Sequence, residues 1–386
     1  MPGPSRSRLV ALSAPSRRLL AEAIVGGWGK DALLPLDPAL PEAERARILH
    51  AARLGAQRSP DGETEIGREV AVGTQLVVPT AGSTGQPKLV ELSRSTLEAA
   101  ASASNRRLDA GPDDGWLCCL PLSHIAGLGI VVRTLVSGSE LIVHDAFDPH
   151  EVASCDAAFT SVVPTMLVRL LDAGVDLARF KAILVGGAHV PPGLLERARA
   201  CGAHVVTTYG MTESCGGVIY DGFPLEGVSV ELEDDGRIRL AGATLMTGYL
   251  GDPVATESVL RDGWFRTSDS GELDSRGALQ VVGRIDDVII TGGENVYPTE
   301  VEGLLETHEA VAEALVTSLP DDRWGERVVA FVILRSPAGE DELKDHVASR
   351  AARHKVPKEI SFVDDLPRLP SGKLRRARAV AKEDEV

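Results

Sequence analysis

Three hydroxyl side chains, two glycines, a proline and a lysine are crowded into Thr80-Ala-Gly-Ser-Thr-Gly-Gln-Pro-Lys88. Small residues let backbone N–H groups approach an anion, hydroxyls add donors, and a lysine supplies charge. Thr80, Gly82, Ser83, Thr84, Gly85 and Lys88 are therefore candidates for holding a polyphosphate. The Gly-x4-Gly-Lys-Ser/Thr spacing of a Walker loop is absent. Leu89-Val-Glu-Leu92 reads as a strand, so a helix-dipole cradle is not implied. The same residues would also make an ordinary glycine-rich hairpin turn.

Other residues with chemical potential are scattered along the chain. Tyr209-Gly-Met-Thr-Glu-Ser214 follows a β-branched strand, and ligands collect at strand ends in α/β sheets. There Glu213 can hold Mg²⁺ through an oxygen and Thr212 can donate to a phosphate; a solvated loop glutamate is the simpler alternative. Gly186 and Gly187 follow another strand and leave room for a flat ring, or merely make a turn. Asp269 can bridge the two hydroxyls of a ribose, and Arg284 can bind ribose or phosphate; both are also ordinary surface charges. His124 precedes an apolar helix with Ile125, Leu128 and Val132 at helical spacing, a common setting for a packing histidine. Lys373, in a basic turn near the C-terminus, is either a solvated charge or a mobile cation that meets a phosphoryl group.

The elements that must position these residues follow from pattern. At 386 residues the chain is long enough for about two or three domains. From about residue 70, short aliphatic strands at 76–79, 116–120, 140–144, 159–163, 182–185 and 204–207 alternate with helices at 95–108, 125–136, 165–173 and 194–201. That alternation predicts layered α/β architecture. Residues 228–240 instead alternate around Asp235-Gly236, a hairpin signal that opens a β-rich region near 225. A second shift at Gly283-Arg-Ile-Asp-Asp287 leads into a compact α+β domain. Its expected elements are strands at 288–291, 311–318, 328–334 and 359–363 and helices at 298–308 and 340–353. The expected domains are thus 1–285, with a β-rich subdomain at about 225–285, and 286–386.

Composition narrows the function classes. A net charge of −16 disfavours nucleic acid and acidic membranes, so a polyanionic substrate needs locally concentrated cations. The five cysteines (Cys118, Cys119, Cys155, Cys201, Cys215) show no zinc or disulfide spacing, which fits a reducing cytoplasm. No secretory signal is expected at the N-terminus, and 19–25 is too short for a membrane span.

The order of these segments resembles the adenylate-forming acyl-CoA synthetase superfamily from about residue 76 to the end. The resemblance implies a large α/β N-terminal domain, a hinge and a small mobile C-terminal domain. It implies that Thr80 to Lys88 is the phosphate loop, Gly186 to Ala188 and Tyr209 to Ser214 the adenine and Mg²⁺ segments, and Asp269 and Arg284 the ribose positions. Asp286 corresponds to the hinge, Gly292 and Gly293 to the thioester-step segment, and Lys373 to the adenylation lysine. His124, Ile125, Leu128, Gly186 and Gly210 then border the acyl pocket.

Leu122-Ser-His-Ile-Ala-Gly-Leu128, Ser161-Val-Val-Pro-Thr165 and Pro320-Asp-Asp-Arg-Trp-Gly325 resemble the short actinobacterial branch of 2-succinylbenzoate–CoA ligases. ATP, Mg²⁺, coenzyme A and a small carboxylic acid are the ligands so implied, with a homodimer as a base-rate expectation. Ala81 departs from the family's usual serine and is expected to weaken ATP binding; Ser83 keeps a hydroxyl. Arg133 is considered for a second substrate carboxylate but lies off the Ile125/Leu128/Val132 stripe. The rival readings are a CoA ligase for another aryl or medium-chain acid, an enzyme loading a carrier protein, and a non-catalytic nucleotide binder.

Overall fold

In a computed structural model the chain is described over residues 7–52, 63–80 and 87–367. It divides into two compact units. The first comprises 1–187, 198–231 and 239–267; the second comprises 188–197, 232–238 and 268–386.

Two sheets dominate the first unit. One runs, in spatial order, Gly248–Tyr249, Lys88–Ser93, Thr74–Thr80, Ala32–Leu36, Ser7–Ser13 and Glu63–Val70. The other runs Phe223–Pro224, Gly216–Tyr220, Val205–Met211, Ala182–Gly186, Phe159–Val162, Trp116–Cys118 and Leu141–Val143. Five of its strands, from Val205–Met211 to Leu141–Val143, are parallel. The three inner ones, Ala182–Gly186, Phe159–Val162 and Trp116–Cys118, are almost wholly buried and include nearly continuous apolar runs such as Ala-Ile-Leu-Val. Parallel pairing sends the loops after Cys118, Val162, Gly186 and Met211 to one edge of the sheet. That is where the sequence concentrates its chemistry.

The helices start and stop where local chemistry dictates. Ser93 caps Arg94–Leu108 by accepting the Thr96 N–H at 3.1 Å. Ile125–Ser137 ends at Gly138, whose φ of 73° suits a glycine. The expected helices at 165–173 and 194–201 become Pro164–Asp172 and Pro192–Ala200, each begun by a proline that needs no N–H partner.

The sequence pattern did not reveal the element succession before residue 70. Ser7–Ser13, the helix Arg17–Gly27 and Ala32–Leu36 form a parallel β-α-β unit at the centre of the first sheet. Residues 19–25 are therefore part of a surface-packed helix, and among the described residues no helix is long and apolar enough to cross a membrane.

The small antiparallel strands from Val228–Leu232 to Leu279–Arg284 contribute to both units. The hairpin anticipated at Asp235-Gly236 is present, with Gly236 at φ 78°.

In the second unit, Gly325–Leu334 lies between Val311–Asp321 and the parallel strand Glu359–Phe362. Val301, Leu305, Val316, Val332, Leu343 and Val347 are central to its aliphatic core. The helix expected over 340–353 stops at Ala348 and is followed by a short 3₁₀ turn, Arg353–Lys355.

Glu302 and Glu306, one turn apart on the helix Pro298–Glu306, accept the N–H groups of Val316 and Ala314 at 2.8 and 3.2 Å. Burial pushes the Glu306 carboxyl up to about 8; the charges of Glu302 and Glu313 add to the rise, against the Ala314 N–H and Arg335. Because folding favours the protonated acid, its contribution is full below the unfolded value of 4.5 and is lost as pH rises through about 8. Glu306→Gln should therefore flatten the pH dependence of amide exchange in Val311–Asp321 across that window. An unchanged profile would assign the dependence to another group.

Candidate active site

The ends of the phosphate loop are defined by a hairpin: Thr80 and Lys88 are register partners at the tips of Thr74–Thr80 and Lys88–Ser93. Ala81, Gly82, Ser83, Thr84 and Gly85 lie outside the described residues, as does Lys373. The Lys88 ammonium stands 4.7 Å from the centre of the Tyr249 ring. The Tyr249 hydroxyl donates to Glu213 Oε1 at 2.9 Å. One aromatic side chain thus bridges the loop lysine and the glutamate of the Tyr209–Ser214 segment.

No motif in the sequence singles out Tyr249. Nothing near Thr-Gly-Tyr249-Leu indicates that a two-residue strand pairs it with Val90 of Lys88–Ser93. Its scarcity is the one available signal, since the chain has 4 tyrosines.

The Glu213 segment differs in local form from the expectation. Tyr209, Gly210 and Met211 belong to the strand Val205–Met211, and Thr212–Ser214 is a 3₁₀ turn at its end. The strand extends because it gains a second partner, the antiparallel Gly216–Tyr220, with a register shift between Tyr209 and Gly210. Ser214, fully buried, fixes the turn: its Oγ accepts the Met211 N–H at 3.0 Å and lies 2.9 Å from the Gly216 carbonyl oxygen. Cys215 follows at φ 60°, a left-handed conformation that side chains disfavour.

Glycine is required at two floor positions. A Cβ on Gly186 would lie 2.2 Å from Thr208 Oγ1, and one on Gly210 would lie 1.9 Å from the Gly216 carbonyl oxygen. Gly187 follows at φ 80°. Gly210→Ala should force Val205–Met211 and Gly216–Tyr220 apart. We expect a loss of about 1–3 kcal/mol in urea titration, accompanied by weaker ATP binding in calorimetry. Retention of both properties would contradict the close approach.

His124 occupies the N-cap of Ile125–Ser137, with Ile125 and Leu128 buried behind it. Its loop is held from beneath. Asp37 Oδ2 accepts the Leu122 N–H at 2.7 Å and pairs with Arg17 Nε at 2.9 Å. Arg17 in turn donates to the carbonyls of Cys119 and His144 at 3.3 and 3.2 Å. Burial alone would raise the Asp37 pKa. The bonds from Arg17, Leu122 and Ala39, with the Arg17 charge, outweigh it and hold the carboxyl below its ordinary value.

Arg133 serves packing. It is buried, donates to Ser104 Oγ at 2.8 Å and to the Tyr220 hydroxyl at 3.3 Å, and covers the Trp116 ring. The cysteines offer no ready nucleophile among the buried thiols: burial pushes Cys118 and Cys119 up to about 12 and raises Cys155 and Cys215 as well.

In the second unit Asp269 and Arg284 are cross-strand partners in Trp264–Leu273 and Leu279–Arg284, and Arg284 Nη2 donates to Asp286 Oδ2 at 3.2 Å. Ala188 begins a separate segment of this unit. Gly292 and Gly293 make the turn between Ile289–Thr291 and Glu294–Val296, with φ of 61° and 87°. The Gly292 N–H donates to the Trp324 carbonyl at 2.8 Å. A Cβ on Gly292 would lie 2.7 Å from the Trp324 ring, so this turn needs glycine for both space and conformation.

For the metal, the donor set is informative. Among the described residues no group of three or more His, Cys, Asp or Glu is arranged to hold an ion. Glu213 has one oxygen bonded to Tyr249 and the other without a protein partner among the described residues. A single carboxylate completed by substrate phosphates suits Mg²⁺, so the residues fit that ion.

The chain belongs to the AMP-binding enzyme family, which matches residues 74–250; the AMP-binding enzyme C-terminal domain matches residues 300–373. Within it the chain is 40% identical over 350 residues to the probable 2-succinylbenzoate–CoA ligase of Mycobacterium tuberculosis, covering 86% of this chain and 89% of that protein. It is 36% identical over 335 residues to the 2-succinylbenzoate–CoA ligase of Bacillus pumilus, covering 80% and 69%. The solved o-succinylbenzoate CoA synthetase (MenE) from Bacillus subtilis, in complex with the acyl-adenylate intermediate OSB-AMP, superposes with a TM-score of 0.82. Identity there is 29%, over 98% of this chain and 88% of that one. ATP-bound MatB from Rhodopseudomonas palustris gives a TM-score of 0.84 at 26% identity, over 96% and 88%. The expectation of an adenylate-forming α/β fold is met.

Proposed function

We propose that the chain is an ATP-dependent acid–CoA ligase acting through an acyl-adenylate, and that its acid is 2-succinylbenzoate, in menaquinone biosynthesis. The supporting observation is the gathering of Lys88, Tyr249 and Glu213 within the first unit, in a chain similar over most of its length to 2-succinylbenzoate–CoA ligases.

In the first half-reaction the substrate carboxylate attacks the α-phosphorus of ATP. A carboxylate-oxygen-to-phosphorus bond forms and the bond to pyrophosphate breaks. Thr80, Gly82, Ser83, Thr84, Gly85, Thr212 and Lys88 hold phosphates, and Glu213 holds Mg²⁺. When bound, that ion neutralises phosphate charge. Gly186, Gly187, Ala188, Tyr209 and Gly210 accommodate adenine, while Asp269 and Arg284 take the ribose. Lys373 bridges carboxylate and α-phosphate, where negative charge grows in the transition state.

In the second half-reaction the C-terminal domain, 286–386, turns about Asp286 and brings Gly292 and Gly293 to the site. The coenzyme A thiol attacks the acyl carbon and AMP leaves. The adenylate is already activated, so no protein nucleophile is required. His124, Ile125 and Leu128 border the acyl group. A cytoplasmic location and a homodimer belong to the same proposal.

The match to the AMP-binding enzyme family, whose description names no acid, leaves one alternative, the same chemistry on another aryl or medium-chain acid. Pyrophosphate release measured across a panel of acids, with and without coenzyme A, tests the assignment. We expect acid-dependent release greatest for 2-succinylbenzoate. Silence on that acid with release on another would select the alternative; transfer to a carrier protein in preference to coenzyme A would reject both.

A further inference from the structure

We propose that Tyr249 is a charge spacer, which holds Lys88 and Glu213 apart so that each keeps its charge for phosphate and metal. The inference rests on the proposed roles of those two residues. A phosphate-binding ammonium and a metal-binding carboxylate brought into one site attract each other. If they closed into an ion pair, both would have to be prised apart before nucleotide could bind. The structure shows another arrangement.

Among the described residues Lys88 has no carboxylate at ion-pairing distance; its charge rests against the Tyr249 ring, 4.7 Å from the centre. A ring face attracts a cation without neutralising it. At the far end of the same side chain, the hydroxyl donates to Glu213 Oε1 at 2.9 Å. That bond occupies one carboxylate oxygen and leaves the second without a protein partner among the described residues.

The spacer is itself fixed. Tyr249 is 7% exposed, its N–H donates to Thr256 Oγ1 at 2.9 Å, and its strand pairs with Lys88–Ser93. On the other side, the Met246 N–H donates to the Glu213 carbonyl at 2.8 Å, so residues 246–250 span from one charged group to the other.

Calorimetric titration of the full chain with pyrophosphate in a metal chelator tests the proposal. Tyr249→Leu lets Lys88 close on Glu213, and affinity should fall by about fivefold to tenfold, the size of a partly shielded ion pair. Adding Glu213→Gln to Tyr249→Leu should restore affinity to the wild-type value, whereas Glu213→Gln alone should change it by no more than about twofold. Tyr249→Phe, which keeps the ring, should stay near wild type. No loss in Tyr249→Leu, or a loss that Glu213→Gln does not reverse, would overturn the spacer.

A second measurement needs no substitution at Tyr249. Reductively methylated Lys88, assigned with Lys88→Arg, should resonate upfield from the ring current and move downfield as pyrophosphate binds. A Lys88 signal without that ring shift would also overturn the proposal. Lys88→Ala separates the two layers: unaltered pyrophosphate affinity there would reject the phosphate-binding role itself.

Discussion

Lys373→Ala is expected to slow adenylate formation by about 10²–10³ while the conversion of supplied acyl-adenylate to thioester proceeds at close to the wild-type rate. The asymmetry follows from where charge develops. When the carboxylate attacks phosphorus, negative charge accumulates around the α-phosphate, and a preorganised ammonium gains most at that moment. In thioester formation the phosphate is a leaving group already balanced in AMP, and the proposed rotation has carried Lys373 away. Pyrophosphate release reads the first step; coenzyme A-dependent consumption of synthetic acyl-adenylate reads the second. Equal loss of both would reject the alternation of domains.

Asp37→Ala is expected to be the most destabilising single change in the first unit, by about 3–5 kcal/mol. The size does not come from the intrinsic worth of the ion pair, because burying two charges consumes much of their attraction. It comes from what remains: a 4% exposed Arg17 without its counter-charge and Leu122 and Ala39 N–H groups without an acceptor. Asp37→Asn, which retains a carbonyl acceptor, should lose less.

The pH dependence has a definite sign. The folded Asp37 carboxyl lies below its ordinary value of 3.8, so its contribution is complete above that value and disappears as pH falls through the lower folded value. The variant should lack that acid limb in urea titrations. Because Leu122 is two residues from His124, the substitution should also raise KM for the acid more than KM for ATP. An equal rise in both would assign Asp37 to general stability alone.

Much of the second sheet was legible because its strands announce themselves locally. Apolar runs bounded by glycine or proline placed Phe159–Val162 and Ala182–Gly186 to within a residue. The β-α-β unit before residue 70 was not legible. Its strand Ala-Leu-Leu-Pro-Leu contains a proline that argues against a central strand, yet the register with Ser7–Ser13 and Thr74–Thr80 accommodates it. Arg17 and Asp37, 20 residues apart, meet only because that crossover returns the chain to the same end of the sheet. Residues 209–211 lie beyond the β-branched run at 204–207, and the partner that makes them strand, Gly216–Tyr220, follows a 3₁₀ turn that no apolar pattern announces.

By itself the sequence determined which chemistry is available: a phosphate loop ending in Lys88, a strand-end Glu213, glycines at 186 and 210, and an ordered set of segments shared with adenylate-forming enzymes. Those properties reside in side-chain type and short spacing, which survive without a fold. Only the tertiary structure decided that Tyr249 stands between Lys88 and Glu213, and that Asp37 supports the loop of His124. Both depend on strand register between segments far apart in the chain. A shift of one residue would turn the Tyr249 side chain to the other face of its sheet and break the bridge.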